Sequence, residues 1–248
     1  MNLVTRGLVI FLGLIVLWQV IVMLFNLPPY ILPTPWDVAK IGYLRADLIG
    51  SEMIPTMIET ILGLIFGTLL GCLVAILMVF FRPITLWLLP ILIISQAIPT
   101  FAIAPLLVIW FGYGMTSKIV MTILMLFFPI TSAFFDGLRR TESGWLDLAK
   151  TMHAKKWRVF WYIRIPAALP ALASGLRVAT VIAPIGAIVG EWVGASKGLG
   201  FLMLNANARM QIDLMFAALF AIIIFSLLLY FIVDKLLRAA IPWQIEKY

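Results

Sequence analysis

Apolar runs of about twenty residues recur along this chain of 248 residues, and a lipid bilayer is the setting that suits them. In hydrocarbon only helices and closed barrels satisfy their own backbone groups. Hydrophobic residues make up 64% of the chain and charged residues 12%, with mean hydropathy +1.12. A soluble domain carries roughly 45–50% and 25%. No soluble core could hide that much apolar surface. Disorder, collagen, coiled coil and disulfide scaffold fail on the same figures.

The runs predict transmembrane helices at about 7–25, 58–81, 86–111, 119–135, 169–189 and 214–233. A polar stretch, residues 136–166, separates the fourth from the fifth. The chain thus reads as one all-α transmembrane domain over residues 1–248. Its first run is longer than the 7–15 residues of a signal-peptide core and lacks a small-x-small cleavage site, so it is retained. The third run holds Pro90, Pro99 and Pro105 and would extend about 39 Å as a helix, longer than a crossing needs. It is either one bent helix or two short ones.

Charge chooses the single crossing. With six crossings, Arg6, Arg82, Arg139, Arg140, Lys150, Lys155, Lys156, Arg158, Arg164, Lys235, Arg238 and Lys247 share one side. Lys40, Arg45, Lys118, Lys197 and Arg209 lie on the other, and Arg177 stays within the fifth run. Twelve against five is a positive-inside bias that puts the 136–166 loop and both termini in the cytoplasm. The net charge of +7 therefore follows from topology, and no recognition module turns it into a nucleic-acid surface.

Within the apolar runs, Gly63, Gly67 and Gly71 form a small-xxx-small stripe that lets another backbone come close. The partner could be a helix of the same chain or of a second subunit. Each proline inside a run frees a carbonyl that protein or water must satisfy. Ser95, Gln96 and Thr100 flank Pro99, which suits a lined pathway or a structural kink. Glu59, Arg177 and Glu191 are the ionisable groups in or beside the runs, all placed near run ends where snorkelling or interfacial pairing suffices. No relay of carboxylates or histidines follows, which disfavours an ion-driven carrier.

Catalytic parts are missing. One histidine, His153, and one cysteine, Cys72, provide neither a triad nor a metal cluster, so no catalytic or metal residues are assigned. There is no G-x-x-x-x-G-K-[ST] phosphate loop, so ATP-driven transport would need a separate ATP-binding chain. The glycine-rich Gly194–Gly200 segment reads as a turn before a re-entrant or surface segment.

The polar loop carries two amphipathic patterns. Trp145, Leu148, Ala149 and Met152 share one helix face, and Trp157, Phe160, Trp161 and Arg164 repeat the spacing after a break at His153-Ala154. Such helices could dock a soluble subunit or lie on the lipid surface.

From Trp145 to Pro166 the loop resembles the signature of binding-protein-dependent ABC transporter permeases, E-A-A, three residues, G, nine residues, I-x-L-P. Ala149 stands at a signature alanine, His153 at the glycine, Ile163 and Ile165 at hydrophobic positions and Pro166 at the proline. Asp147 is the acidic residue near the altered start. Leu32-Pro33-Thr34-Pro35, Pro170, Gly175-Leu176, Glu191, Gly198-Leu199-Gly200 and Pro242-Trp243 resemble the nitrate/sulfonate/taurine-type branch. The stretch around span five and Asn205–Asp213 is most similar to permeases for the thiamine pyrimidine precursor hydroxymethylpyrimidine.

The resemblance implies a type I ABC importer permease with six transmembrane helices in a bacterial inner membrane. Two copies would form the pathway, a soluble binding protein would deliver solute, and cytoplasmic ATPase subunits would hold ATP and magnesium, leaving this chain without cofactor. Trp145, Leu146, Leu148, Ala149, Met152, His153, Ala154, Trp157 and Pro166 would contact the ATPase. Ser95, Gln96, Pro99, Thr100 and Glu191 would belong to the pathway. If position 153 needs a positive φ, histidine can adopt it at some cost. Taurine, sulfonate or nitrate is the alternative solute, and an ion-coupled secondary transporter the alternative mechanism.

Overall fold

A computed structural model describes residues 3–243. Lys247, counted above on the cytoplasmic side, lies outside the described residues. These residues are mostly helical, with no strand among them. The helices are α1 (Leu3–Leu24), α2 (Pro35–Leu44), α3 (Ala46–Phe80), α4 (Arg82–Ala97), α5 (Thr100–Phe111), α6 (Met115–Arg139), α7 (Ser143–Thr151), α8 (Lys156–Val159), α9 (Ile165–Gly194), α10 (Leu199–Ala208) and α11 (Ile212–Ala240). A π turn at Phe160–Arg164 joins α8 to α9.

Local chemistry explains several boundaries. Thr34 caps α2: its Oγ1 accepts the Asp37 amide at 3.1 Å, and Pro35 fits the first turn, where no amide partner is needed. The third apolar run is not one bent helix. It breaks at Ile98–Pro99, and the two halves differ in direction by 102°. Ile98 is extended (ψ 122°), as the residue before a proline prefers, whereas Pro90 and Pro105 stay inside α4 and α5. Five helices are long and apolar enough to cross a membrane, and six crossings result where α4 and α5 count as one.

The chain divides into two compact units, the first holding residues 1–56 and 196–224 and the second residues 57–195 and 225–248. In the first, Trp18 of α1 lies 5.6 Å from Phe216 and 5.8 Å from Phe220 between ring centres. Gly42 of α2 lets Ala217 of α11 come close. The start of α10 is held by α3: Glu52 Oε2 accepts the Gly198 amide at 2.6 Å and Thr56 Oγ1 accepts the Leu199 amide at 2.9 Å. Gly198, at φ +115°, sits where an L side chain would be strained. The Gly194–Gly200 segment is thus a turn leading into the short apolar α10.

In the second unit α6 is the central element, with α3 on one side and α9 on the other. Gly63 meets Thr122, Gly67 meets Leu126, and Gly71 leaves a Cβ position 2.9 Å from Ile130. The glycine stripe is therefore spent on a helix of the same chain. A second set answers it from α9: Cβ positions at Gly186 and Gly190 fall 2.9 and 3.0 Å from the Cα atoms of Thr122 and Lys118. Packing between helices in lipid depends on such close backbone approach.

Candidate functional site

The loop predicted to dock a partner forms one end of the second unit. Helix α7 ends at Thr151 with Met152 as its C-cap, and the chain turns through His153 at φ +53°. The His153 amide donates to the Lys150 carbonyl and the Ala154 amide to the Ala149 carbonyl, both at 2.9 Å. That pairing is a Schellman turn, whose residue after the cap takes the left-handed conformation glycine usually supplies. The signature glycine position thus keeps its geometry with histidine in it. His153 Nδ1 lies 3.1 Å from the Thr151 carbonyl oxygen.

Beyond the turn there is no second free-standing helix. Lys156–Gly194 runs as one helical rod of 39 residues, widened by the π turn. The cause is Pro166, whose ring cannot follow the Tyr162 carbonyl in α register; the Ile165 amide bonds to Phe160 five residues back instead. Pro166 therefore lies in the rod's helix and does not end a loop.

Trp145, Leu148 and Met152 project from α7 with exposures of 51%, 61% and 73%. They line a groove of about 840 Å³ with His153, Ala154, Tyr162, Ile163, Pro166 and Trp243. Trp243 Nε1 donates to the Pro166 carbonyl at 3.3 Å and fixes one wall. The predicted stripe is only partly displayed. Ala149 also borders the groove but is buried, and Leu146 turns to a second cavity beside Phe80 and Phe160. Trp157 is exposed along one edge while packing with Phe80, Phe160 and Trp161. The surface is apolar, concave and open.

The other predicted residues are dispersed. Ser95, Gln96, Pro99 and Thr100 bracket the α4–α5 break, where Ser95 Oγ donates to the Leu92 carbonyl of its own helix at 2.7 Å. Glu191 lies elsewhere, at the far end of α9. It is 1% exposed and shares a buried cluster with Glu59 (4%) and Lys118 (1%). Lys118 Nζ donates to the carbonyls of Tyr113 at 2.7 Å, Gly114 at 3.0 Å, and Gly194.

Snorkelling near run ends is thus the wrong account of Glu59 and Glu191, because both are packed inside protein. Arg177 also has a protein partner: its Nε bonds Asp234 Oδ1 at 2.6 Å. Neither Lys118 nor Asp234 was assigned a role from the sequence. The spacing Gly186, Gly190, Gly194 was a usable signal for Lys118, since it brings α9 against that end of α6.

Residues 67–244 match the family described as binding-protein-dependent transport system inner membrane component, and the chain belongs to that family. It is 54% identical over 232 residues to a probable ABC transporter permease protein of Haemophilus influenzae, covering 94% of each chain. It is 34% identical over 235 residues to the formylaminopyrimidine transport permease protein ThiX of Halalkalibacterium halodurans, again covering 94% of each. Among solved structures, the MetNI methionine ABC transporter in an inward-facing conformation matches at TM-score 0.62 and 20% identity, over 75% of this chain and 92% of that one.

The chain is therefore a multi-pass inner-membrane permease subunit of an ABC importer, with the type I importer permease fold. ATP hydrolysis belongs to a separate subunit, and the ion-coupled carrier is overturned by this membership.

Proposed function

We propose that this permease works as a homodimer, takes solute from a soluble binding protein, and is driven by cytoplasmic ATPase subunits seated in the Trp145–Trp243 groove. The observation that carries the reading is the exposure of Trp145, Leu148 and Met152 on one face of α7 beside a groove walled by the start of the long rod. Large apolar side chains presented this way in a preformed concavity are anchors for a partner. Ala154 borders the same surface, Trp157 packs beside it against Phe80 and Phe160, Leu146 and Ala149 hold α7 to its support, and His153 sets where the helix stops. Pro166 positions the rod relative to the groove. In this reading the loop and both termini are cytoplasmic, in line with the positive-inside distribution. The Ser95–Thr100 break lines the pathway.

The solute is a thiamine pyrimidine precursor. Support comes from the formylaminopyrimidine permease, alike over 94% of both chains, together with the branch features around span five. The test is reconstitution of the permease with its ATPase and binding protein in vesicles. Leu148→Glu with Met152→Glu should abolish ATPase association and uptake while leaving the purified permease folded. Unchanged association would overturn the coupling surface. A binding protein that retains taurine or an alkanesulfonate in place of an aminopyrimidine would overturn the solute.

A further inference from the structure

Besides the groove, two further cavities, of about 490 and 610 Å³, lie where the end of α3 meets the start of the long rod. Phe80 and Arg164 line both. The first adds Lys150 and Lys156 from the loop. The second adds Arg139, the last residue of α6, and Leu86 and Leu89 of α4. Lys150 is already paired with Asp147 at 2.8 Å. Arg139, Lys156 and Arg164 pair with no carboxylate among the described residues. Concave walls lined by charge of one sign concentrate the opposite ion, so these cavities attract an anion.

The surroundings say what kind of anion. Phe80 and Phe160, which wall the first cavity, pack with Trp157 and Trp161, and both tryptophans remain exposed. Exposed tryptophans of a membrane protein collect at headgroup level. Leu86 is exposed on α4, half of the bent crossing, and α3 is an apolar crossing helix. The second cavity therefore joins two guanidinium groups to a wall suited to hydrocarbon. A free anion would use only the charges, and an acidic protein segment has no need of leucines on a membrane helix. An anion carrying acyl chains uses both.

We propose that these adjoining cavities bind the phosphodiester headgroup of an anionic phospholipid. Arg139 and Arg164 hold the phosphate, Lys156 adds positive charge beside it, and an acyl chain runs along Leu86 and Leu89. Arginine fits the task because its planar fork grips phosphate oxygens in pairs. Basic pockets between membrane helices take anionic headgroups in the same way. A headgroup held there ties the end of α6 to the start of the rod.

Native mass spectrometry of the purified permease tests this, with phosphatidylglycerol and phosphatidylcholine titrated separately. Phosphatidylglycerol should bind about tenfold more tightly. Arg139→Gln with Arg164→Gln should weaken it about 25-fold, a factor of about five for each charge, and leave phosphatidylcholine unchanged. Lys197→Gln with Arg209→Gln removes the same charge from exposed positions of the first unit and should change neither. Equal affinity for the two lipids, or equal weakening by both pairs of substitutions, overturns the proposal. Inorganic phosphate should displace the lipid only at far higher concentration; displacement at matching concentration makes this a free-anion site and overturns the lipid. Loss of the lipid when the ATPase subunit assembles on the permease gives the cations to that partner and also overturns it. Should the arginine pair not fold, Lys156→Gln decides: a loss of about fivefold supports the site, and no loss overturns it. The titration needs neither transport nor a known solute, so failure of the coupling or solute assignments leaves it readable.

Discussion

Gly63 lies directly against Thr122, with no room for a methyl group between them. Thr122 has little room to retreat, because the backbone of α9 already packs against it at Gly186, where even an added Cβ would stand 2.9 Å from its Cα. A side chain at residue 63 must therefore push α3 away from α6.

Gly63→Val is expected to lower stability by about 1–3 kcal/mol, the usual range for overpacking. That corresponds to a fall of several degrees in Tm for a chain of this size, read by thermal unfolding in detergent. Gly50→Ala is the control. Nothing lies within 4 Å of its Cβ position, and inside a helix the change should be neutral or stabilise by up to about 1 kcal/mol.

Asp234 anchors two arginines, Arg177 at 2.6 Å and Arg238 at 2.8 Å. Arg177 and Asp234 are largely shielded, whereas Arg238 is half exposed. Asp234→Ala should cost about 2 kcal/mol by leaving Arg177 without its anion, below the full buried-pair penalty because some solvent reaches the site. Arg238→Ala should cost under about 0.5 kcal/mol. The double variant Arg177→Met with Asp234→Leu should recover most of the loss, which a double-mutant cycle of unfolding midpoints measures.

His153 occupies a left-handed backbone conformation, so His153→Gly should stabilise the α7 turn by about 0.5–1 kcal/mol. His153→Val should destabilise it by about 1–2 kcal/mol, since a β-branched residue tolerates that region poorly. Hydrogen exchange of the Ala154 amide, bonded to Ala149, reports both changes locally. ATPase affinity should survive in the glycine variant and weaken in the valine variant.

Glu52 and Thr56 cap a helix from outside it. Thr56→Ala should cost about 1 kcal/mol, as for other N-cap losses, and Glu52→Gln somewhat less because an acceptor oxygen remains. Protease accessibility of the Ala195–Gly200 segment should rise in Thr56→Ala.

Composition alone made the membrane class legible, because apolar length is a local property. The His153 turn was legible too, since a signature glycine marks a backbone demand that a substitution leaves in place. The Pro99 break was not. Counting charges on each side tests how many crossings there are, not whether one is continuous, and Pro90 and Pro105 show that a proline need not interrupt. The Lys118 cluster escaped for another reason. Its members are separated by about sixty to seventy residues, and apolar periodicity carries no record of which polar groups meet. Lys118 read as a loop charge because α6 begins earlier than its apolar run, at Met115.

The 39-residue rod from Lys156 to Gly194 begins at the groove and ends at the carbonyl that Lys118 grips. At helical rise it measures about 58 Å. It is helical from end to end, with the π turn at Phe160–Arg164 inside it. In the proposed reading, a displacement received at Trp157 would be carried along this helix toward Glu191, past the places where Gly175 and Gly186 rest on α6.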